Sequence, residues 1–287
     1  MFRGWIMRPA ALGVLILGLA SSLSLASPAL ACSDVTPCEV EGGSYFIRPP
    51  AGWDGKSLLP VVFYFHGHSD SAAVTMADPY MKKSLDEAGI LLVAMDGENR
   101  SWSFPGKLTG SRDDVRYTQA VLADVKKRFP VDNSLLLASG FSVGGSMVWY
   151  VACSLGNAFS GYAPMSGSYW EPMPKDCPGG PVALRHIHGT ADRTVPLEGR
   201  SLRNGQFKQG DSNESFRRLL VRNGCPAQPD HVSTRDILTC RTWSASSCSS
   251  GKGAEFCLHD GGHRIESQWI VDSMNWLRAQ RPATANR

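Results

Sequence analysis

The sequence predicts an α/β protein with a central, mostly parallel sheet, helices on both faces and stabilising disulfides. Three observations predict it. Short runs of continuous apolar, β-favouring residues recur along the chain, as in "PVVFYF" and "ILLVAM"; strands buried on both faces read this way. Amphipathic segments with helical spacing alternate with those runs, which is the order of a parallel sheet with crossover helices. Eight cysteines, an even number, all follow a segment that resembles an export signal, and that combination points to an oxidising compartment.

The first segment is that signal. Arg3 and Arg8 precede the apolar run Ala10 to Ala20, and Ala29 and Ala31 stand in an A-x-A arrangement. A signal peptide over residues 1–31 is expected, followed by a single catalytic-size domain over 32–287. Cleavage there exposes Cys32, so lipid anchoring through that residue is a minority alternative to a free secreted form, either extracellular or periplasmic. Removing Arg3 and Arg8 from the formal charge of +3 leaves +1. No basic stripe remains to favour nucleic acid or a membrane surface.

In the mature part, "GSYFIRPP" reads as a strand closed by prolines, and "LPVVFYFHGHSD" as a stronger one stopped by Gly67. "ILLVAMDGE", "SLLLASG", "VALRHIHGT" and "AEFCLH" follow as further strands. "SRDDVRYTQAVLADVKKRFP" carries Val115, Thr118, Leu122, Val125 and Phe129 at spacings of three and four. It opens on Ser111 and Asp114 in a capping-box arrangement and stops at Pro130. "SMVWYVACSLG" and "ESQWIVDSMNWLRA" are the other helices. Residues 197–215 are polar and without periodicity, and are expected to form a surface excursion near the site. Sequence neighbours suggest the disulfides Cys32–Cys38, Cys153–Cys177, Cys225–Cys240 and Cys248–Cys257. No C-x-x-C pair suggests zinc, and neither a metal nor an organic cofactor is expected.

The stretch "LLLASGFSVGGSMVWY" places Ser142 within G-x-S-x-G, between a strand and a helix. A sharp strand-to-helix turn strains the serine backbone and lifts its hydroxyl clear, while the glycines admit neighbouring chain. A serine hydroxyl needs a base to become a nucleophile. Asp192 in "HGTADRTVP" and His263 in "DGGHRIES" follow in the order serine, acid, histidine, each on a loop after a strand. His186 and His188 alternate within a strand pattern and are expected to pack rather than react, while Asp260 is a spare acid. The N–H of Val143, just after the serine, and of His68, in the loop after an early strand, are the expected oxyanion donors. Trp102, Trp149 and Trp170 are candidate walls of a substrate pocket or members of the core.

"FHGHSD", "GFSVGGSMVWYVAC", "HIHGTADRTVP" and "GGHRIESQWI" together resemble the successive motifs of α/β-hydrolase esterases. The resemblance is strongest to the secreted polyhydroxybutyrate depolymerase and feruloyl esterase-like family and spans about Tyr45 to Leu277. It implies the α/β-hydrolase fold, a Ser142–Asp192–His263 triad and a helix over "SFRRLLVRNGC". It also implies hydrolysis of carboxylic esters, with hydroxyalkanoate oligomers, feruloyl esters or short-chain esters as substrates rather than crystalline polymer. The chain departs from the family at Phe141, Val143 and His68. A monomer acting on a small or oligomeric ester is expected. The alternatives are a peptidase or thioesterase on the same triad, or a non-catalytic binding protein.

Overall fold

The computed structural model describes residues 1, 2, 4, 32–105 and 111–280. The expected signal segment and its cleavage site fall outside the described residues, apart from residues 1, 2 and 4.

The first half of the fold contains strands β1 (Cys38–Val40), β2 (Gly43–Arg48), β3 (Leu59–Phe65) and β4 (Leu91–Met95), with helices α1 (Ala72–Ala77) and α2 (Pro79–Glu87) between the last two. Helix α3 (Asp114–Arg128), strand β5 (Val131–Phe141), helix α4 (Val143–Leu155), strand β6 (Gly161–Met165) and strand β7 (Leu184–Gly189) follow. The remainder is a hairpin of β8 (Arg200–Leu202) and β9 (Phe207–Gln209), helix α5 (Ser212–Asn223), strands β10 (His231–Arg235), β11 (Leu238–Trp243) and β12 (Ala254–His259), and helix α6 (Ser267–Ala279).

The main sheet has the order β1-β2-β4-β3-β5-β6-β7-β12-β11-β10. Its centre, from β4 to β12, is parallel, and its two ends are antiparallel. The apolar runs are continuous because alternate side chains enter two different cores. Val61, Phe63 and Phe65 of β3 pack toward α3 and α4, whereas Val62 and Tyr64 pack toward α1, α2 and α6. Leu91, Val93 and Met95 of β4 divide from Leu92 and Ala94 in the same way.

Several expectations change in detail. Helix α3 is capped by Asp113, whose carboxylate accepts from the N–H groups of Val115 and Arg116, and not by Ser111. Strand β6 went unpredicted because "GYAPM" contains Pro164, a residue that argues against a central strand. The 197–215 segment is not irregular throughout: it forms the β8–β9 hairpin, and Ser212 already belongs to α5.

The cysteines pair as Cys32–Cys38, Cys153–Cys177, Cys225–Cys248 and Cys240–Cys257. The expected Cys225–Cys240 and Cys248–Cys257 bonds are therefore corrected. Antiparallel pairing of β11 with β12 sets Cys240 directly opposite Cys257, which leaves Cys225, after α5, to Cys248. Among the described residues, no helix is long and apolar enough to cross a membrane.

Candidate active site

The site forms where the carboxyl ends of β3, β5, β7 and β12 meet, the edge at which open parallel sheets place their ligands. Strand β5 ends at Phe141, and α4 starts at Val143. Between them Ser142 has φ 59° and ψ −122°, a left-handed conformation that a non-glycine residue adopts only under strain. The neighbouring backbone approaches too closely for a side chain at the motif's last glycine. A Cβ on Gly144 would lie 2.0 Å from the carbonyl oxygen of Phe65. The Ser142 N–H donates to the Met165 carbonyl at 2.9 Å, which pins the turn to β6. Its Oγ makes no hydrogen bond among the described residues and borders a cavity of about 340 Å³.

His68 and Val143 line the same cavity. Neither backbone N–H donates to a described residue, so both are open to a ligand oxygen. The loop holding His68 lies against the serine: a Cβ on Gly67 would be 3.8 Å from the Ser142 Cβ. Buried His66 fixes this loop. Its Nε2 accepts from the Gly97 N–H at 3.0 Å, so Nδ1 carries the proton and donates to the Gly67 carbonyl at 2.7 Å. Burial depresses the His66 pKa and keeps the ring neutral.

His263, in the loop after β12, donates from Nδ1 to Asp192 Oδ2 at 2.7 Å. That leaves Nε2 as the basic nitrogen. The His263 ring also lies on Phe141, the residue before the serine, with centroids 4.6 Å apart. No hydrogen bond joins His263 to Ser142 among the described residues. Asp192, in the loop after β7, has a fully buried side chain. Its Oδ1 accepts from the N–H groups of Thr194 and Val195, each at 2.8 Å. Burial pushes the carboxyl pKa up, but the hydrogen bond from His263 and those two N–H groups outweigh it, and the net shift is downward.

A second imidazole approaches the same carboxylate. His188 Nε2 lies 3.6 Å from Asp192 Oδ2, yet donates to the Val195 carbonyl at 2.7 Å. Its Nδ1 therefore accepts from His186 Nε2, at 3.0 Å. Burial depresses both histidines' pKa values, and neutral rings leave Asp192 to His263. His259 is buried against Trp269, and its Nδ1 accepts from the Gly261 N–H. Asp260 is exposed on the same loop. Among the described residues, the one cluster of three potential metal ligands is Cys240, Glu255 and Cys257, whose sulfurs are joined in a disulfide.

No family model matches the chain. It is 26% identical to a probable feruloyl esterase C of Aspergillus terreus, over 78% of this chain and 77% of that one. It is 24% identical to feruloyl esterase D of Neurospora crassa, over 87% of each. Among solved structures, an acetyl xylan esterase from Aspergillus awamori superposes with a TM-score of 0.61 at 12% identity, covering 82% of this chain and 93% of that one.

The chain has the α/β-hydrolase fold and is similar in sequence to feruloyl esterases.

Around this cavity, the tryptophans expected as pocket walls divide. Trp170 borders the cavity. Trp102 does not: it is fully buried, packs on Phe65 and donates from Nε1 to the His66 carbonyl at 2.8 Å, so it braces the His68 loop from behind. Trp149 is likewise buried, with Nε1 on the Gly167 carbonyl. The cavity's remaining walls include Thr194, Val195 and four hairpin residues, Leu202, Arg203, Phe207 and Gln209. The sequence reading missed the hairpin contribution. Its signal was "LRNGQF": an Asn-Gly pair between two apolar residues is a strong short-range hairpin mark.

Proposed function

We propose that the protein is an exported serine esterase that cleaves carboxylic esters through an acyl-enzyme. Ser142 is the nucleophile, His263 the general base and acid, and Asp192 the residue that orients it. What supports this reading is an unbonded serine hydroxyl on a strained turn, together with an Asp-held imidazole that packs on the residue before that serine.

In the first half-reaction, Oγ attacks the ester carbonyl while His263 Nε2 accepts its proton. The oxyanion takes hydrogen bonds from the Val143 and His68 N–H groups, which need no reorganisation as charge develops. The C–O bond then breaks, and the imidazolium returns the proton to the departing alkoxide. Water attacks the acyl-enzyme with the same base, releasing the carboxylic acid and restoring Ser142. Because Asp192 stays ionised, it stabilises the imidazolium formed in both halves. The mostly apolar cavity suits acyl or aryl groups, and feruloyl, hydroxyalkanoate and short-chain esters are the substrates to compare. Four disulfides support an oxidising compartment.

The test is hydrolysis by purified mature protein of methyl ferulate, 3-hydroxybutyrate oligomers, p-nitrophenyl esters and a peptide p-nitroanilide. Ester turnover should dominate, and Ser142→Ala should lower it by roughly 10⁴-fold or more with unchanged melting temperature. Preferential peptide cleavage would assign a peptidase on the same site instead.

A further inference from the structure

The cavity beside Ser142 has one cationic wall and no anionic one. None of its lining residues is Asp or Glu, and Arg203 stands among Trp170, Val195, Leu202 and Phe207. Two other arginines near the site are engaged: Arg200 donates to Gln209 Oε1 at 3.2 Å, and Arg112 pairs with Asp114. Arg193, beside Asp192, is exposed and is not part of the cavity lining. The Arg203 side chain makes no hydrogen bond or ion pair with a described residue. Its guanidinium instead lies 5.7 Å from the Phe207 ring centroid.

Two features hold it there. Gly205 donates to the Leu202 carbonyl at 3.1 Å, with Arg203 at φ 47° and Asn204 at φ 56° between them. Such a turn favours Asn, Asp or Gly at both central positions, so arginine is not explained by the turn itself. The hairpin is also fastened to the body of the protein. Glu171 donates to the Lys208 carbonyl at 2.8 Å, Gly210 donates to the Tyr169 carbonyl at 2.9 Å, and Gln209 bridges to Trp170. An unpaired guanidinium is thus carried by a fastened hairpin backbone at the wall of an apolar cavity, where an anion would find both a charge partner and a partly water-excluded surface.

We propose that this site selects esters bearing a carboxylate away from the scissile bond, and that Arg203 is the residue that recognises it. The inference rests on the esterase reading and names the substrate class of that same cavity. Binding of the carboxylate adds no chemical step. It orients the ester by pairing with the guanidinium fork while the carbonyl oxygen reaches the Val143 and His68 amides. The carboxylate belongs either to the acyl part, as in a dicarboxylic acid monoester, or to the alcohol part, as at the free end of a hydroxy-acid oligomer.

The experiment compares kcat/KM within two matched pairs. Mono-p-nitrophenyl adipate against p-nitrophenyl hexanoate reads the acyl side, and a 3-hydroxybutyrate dimer against its methyl ester reads the alcohol side. In at least one pair the anionic member should be favoured by about fivefold or more. Arg203→Gln should bring that ratio close to one, Arg203→Lys should keep part of it, and added salt should shrink it in the native enzyme. Ratios near one in both pairs, or a preference that survives Arg203→Gln, overturn the proposal while ester turnover itself persists. Absence of turnover on all four compounds and on the wider ester panel would instead strike the esterase reading beneath it.

Discussion

The turn at Ser142 and the hairpin at Arg203 border the same cavity under opposite physical regimes. At the turn, backbone presses on backbone. The Gly144 position has carbonyl oxygens of β3 and of the residue after it within 2.5 Å of any added Cβ, and Ser142 is anchored to β6 by its own N–H. At the hairpin tip, nothing lies within 4 Å of a Cβ built on Gly205, and Arg203 is exposed. The crowded region fixes a hydroxyl and two amides, as chemistry that depends on fractions of an ångström requires. The open region carries a single charge on a flexible side chain, which suits selection among substrates. Positioning and selection can then change independently within one cavity.

The largest effect that would sharpen the contrast is on the orienting carboxylate. Asp192→Asn should lower kcat by about 10⁴-fold, because an amide can hold His263 in the wrong tautomer while leaving the packing intact. The same variant has a stability signature. The native Asp192 pKa lies below its unfolded value of about 3.9, so its contribution is full above that pH and disappears as pH falls through the native value. Acid unfolding followed by circular dichroism should therefore be less steep below about pH 4 in the variant. A smaller change should separate the two regions by stability alone. Gly144→Ala forces a methyl group against the Phe65 carbonyl and should cost about 3 kcal/mol or more in denaturant unfolding. Gly205→Ala, at φ 86° in open space, should cost only about 1 kcal/mol. Equal losses at both glycines would break the comparison.

The two regions also differed in how readable they were. The turn announces itself because steric crowding leaves only glycine at fixed positions around the serine, and Asp192 and His263 each lie in a loop after a largely buried strand. The strands were visible because both faces of β3, β4 and the second half of β5 are covered, so their apolar runs are nearly unbroken. Strand β10 was not visible, since every residue in it is exposed and the hairpin it forms with β11 leaves no apolar run. The unread pairing of β11 with β12 is why the last two disulfides were mispaired: a cross-strand contact, not chain proximity, brings Cys240 to Cys257. Trp102 illustrates a further limit. Its indole serves the site through a carbonyl it supports, and no sequence pattern separates that role from lining the cavity.

The central claim is that Ser142 is the nucleophile, and covalent trapping tests it most directly. Incubation with a fluorophosphonate, followed by peptide mass mapping, should find one adduct on Ser142, with ester hydrolysis lost in proportion to labelling and no adduct on Ser142→Ala. Labelling of a different residue, or full hydrolysis by a protein modified at Ser142, would contradict it.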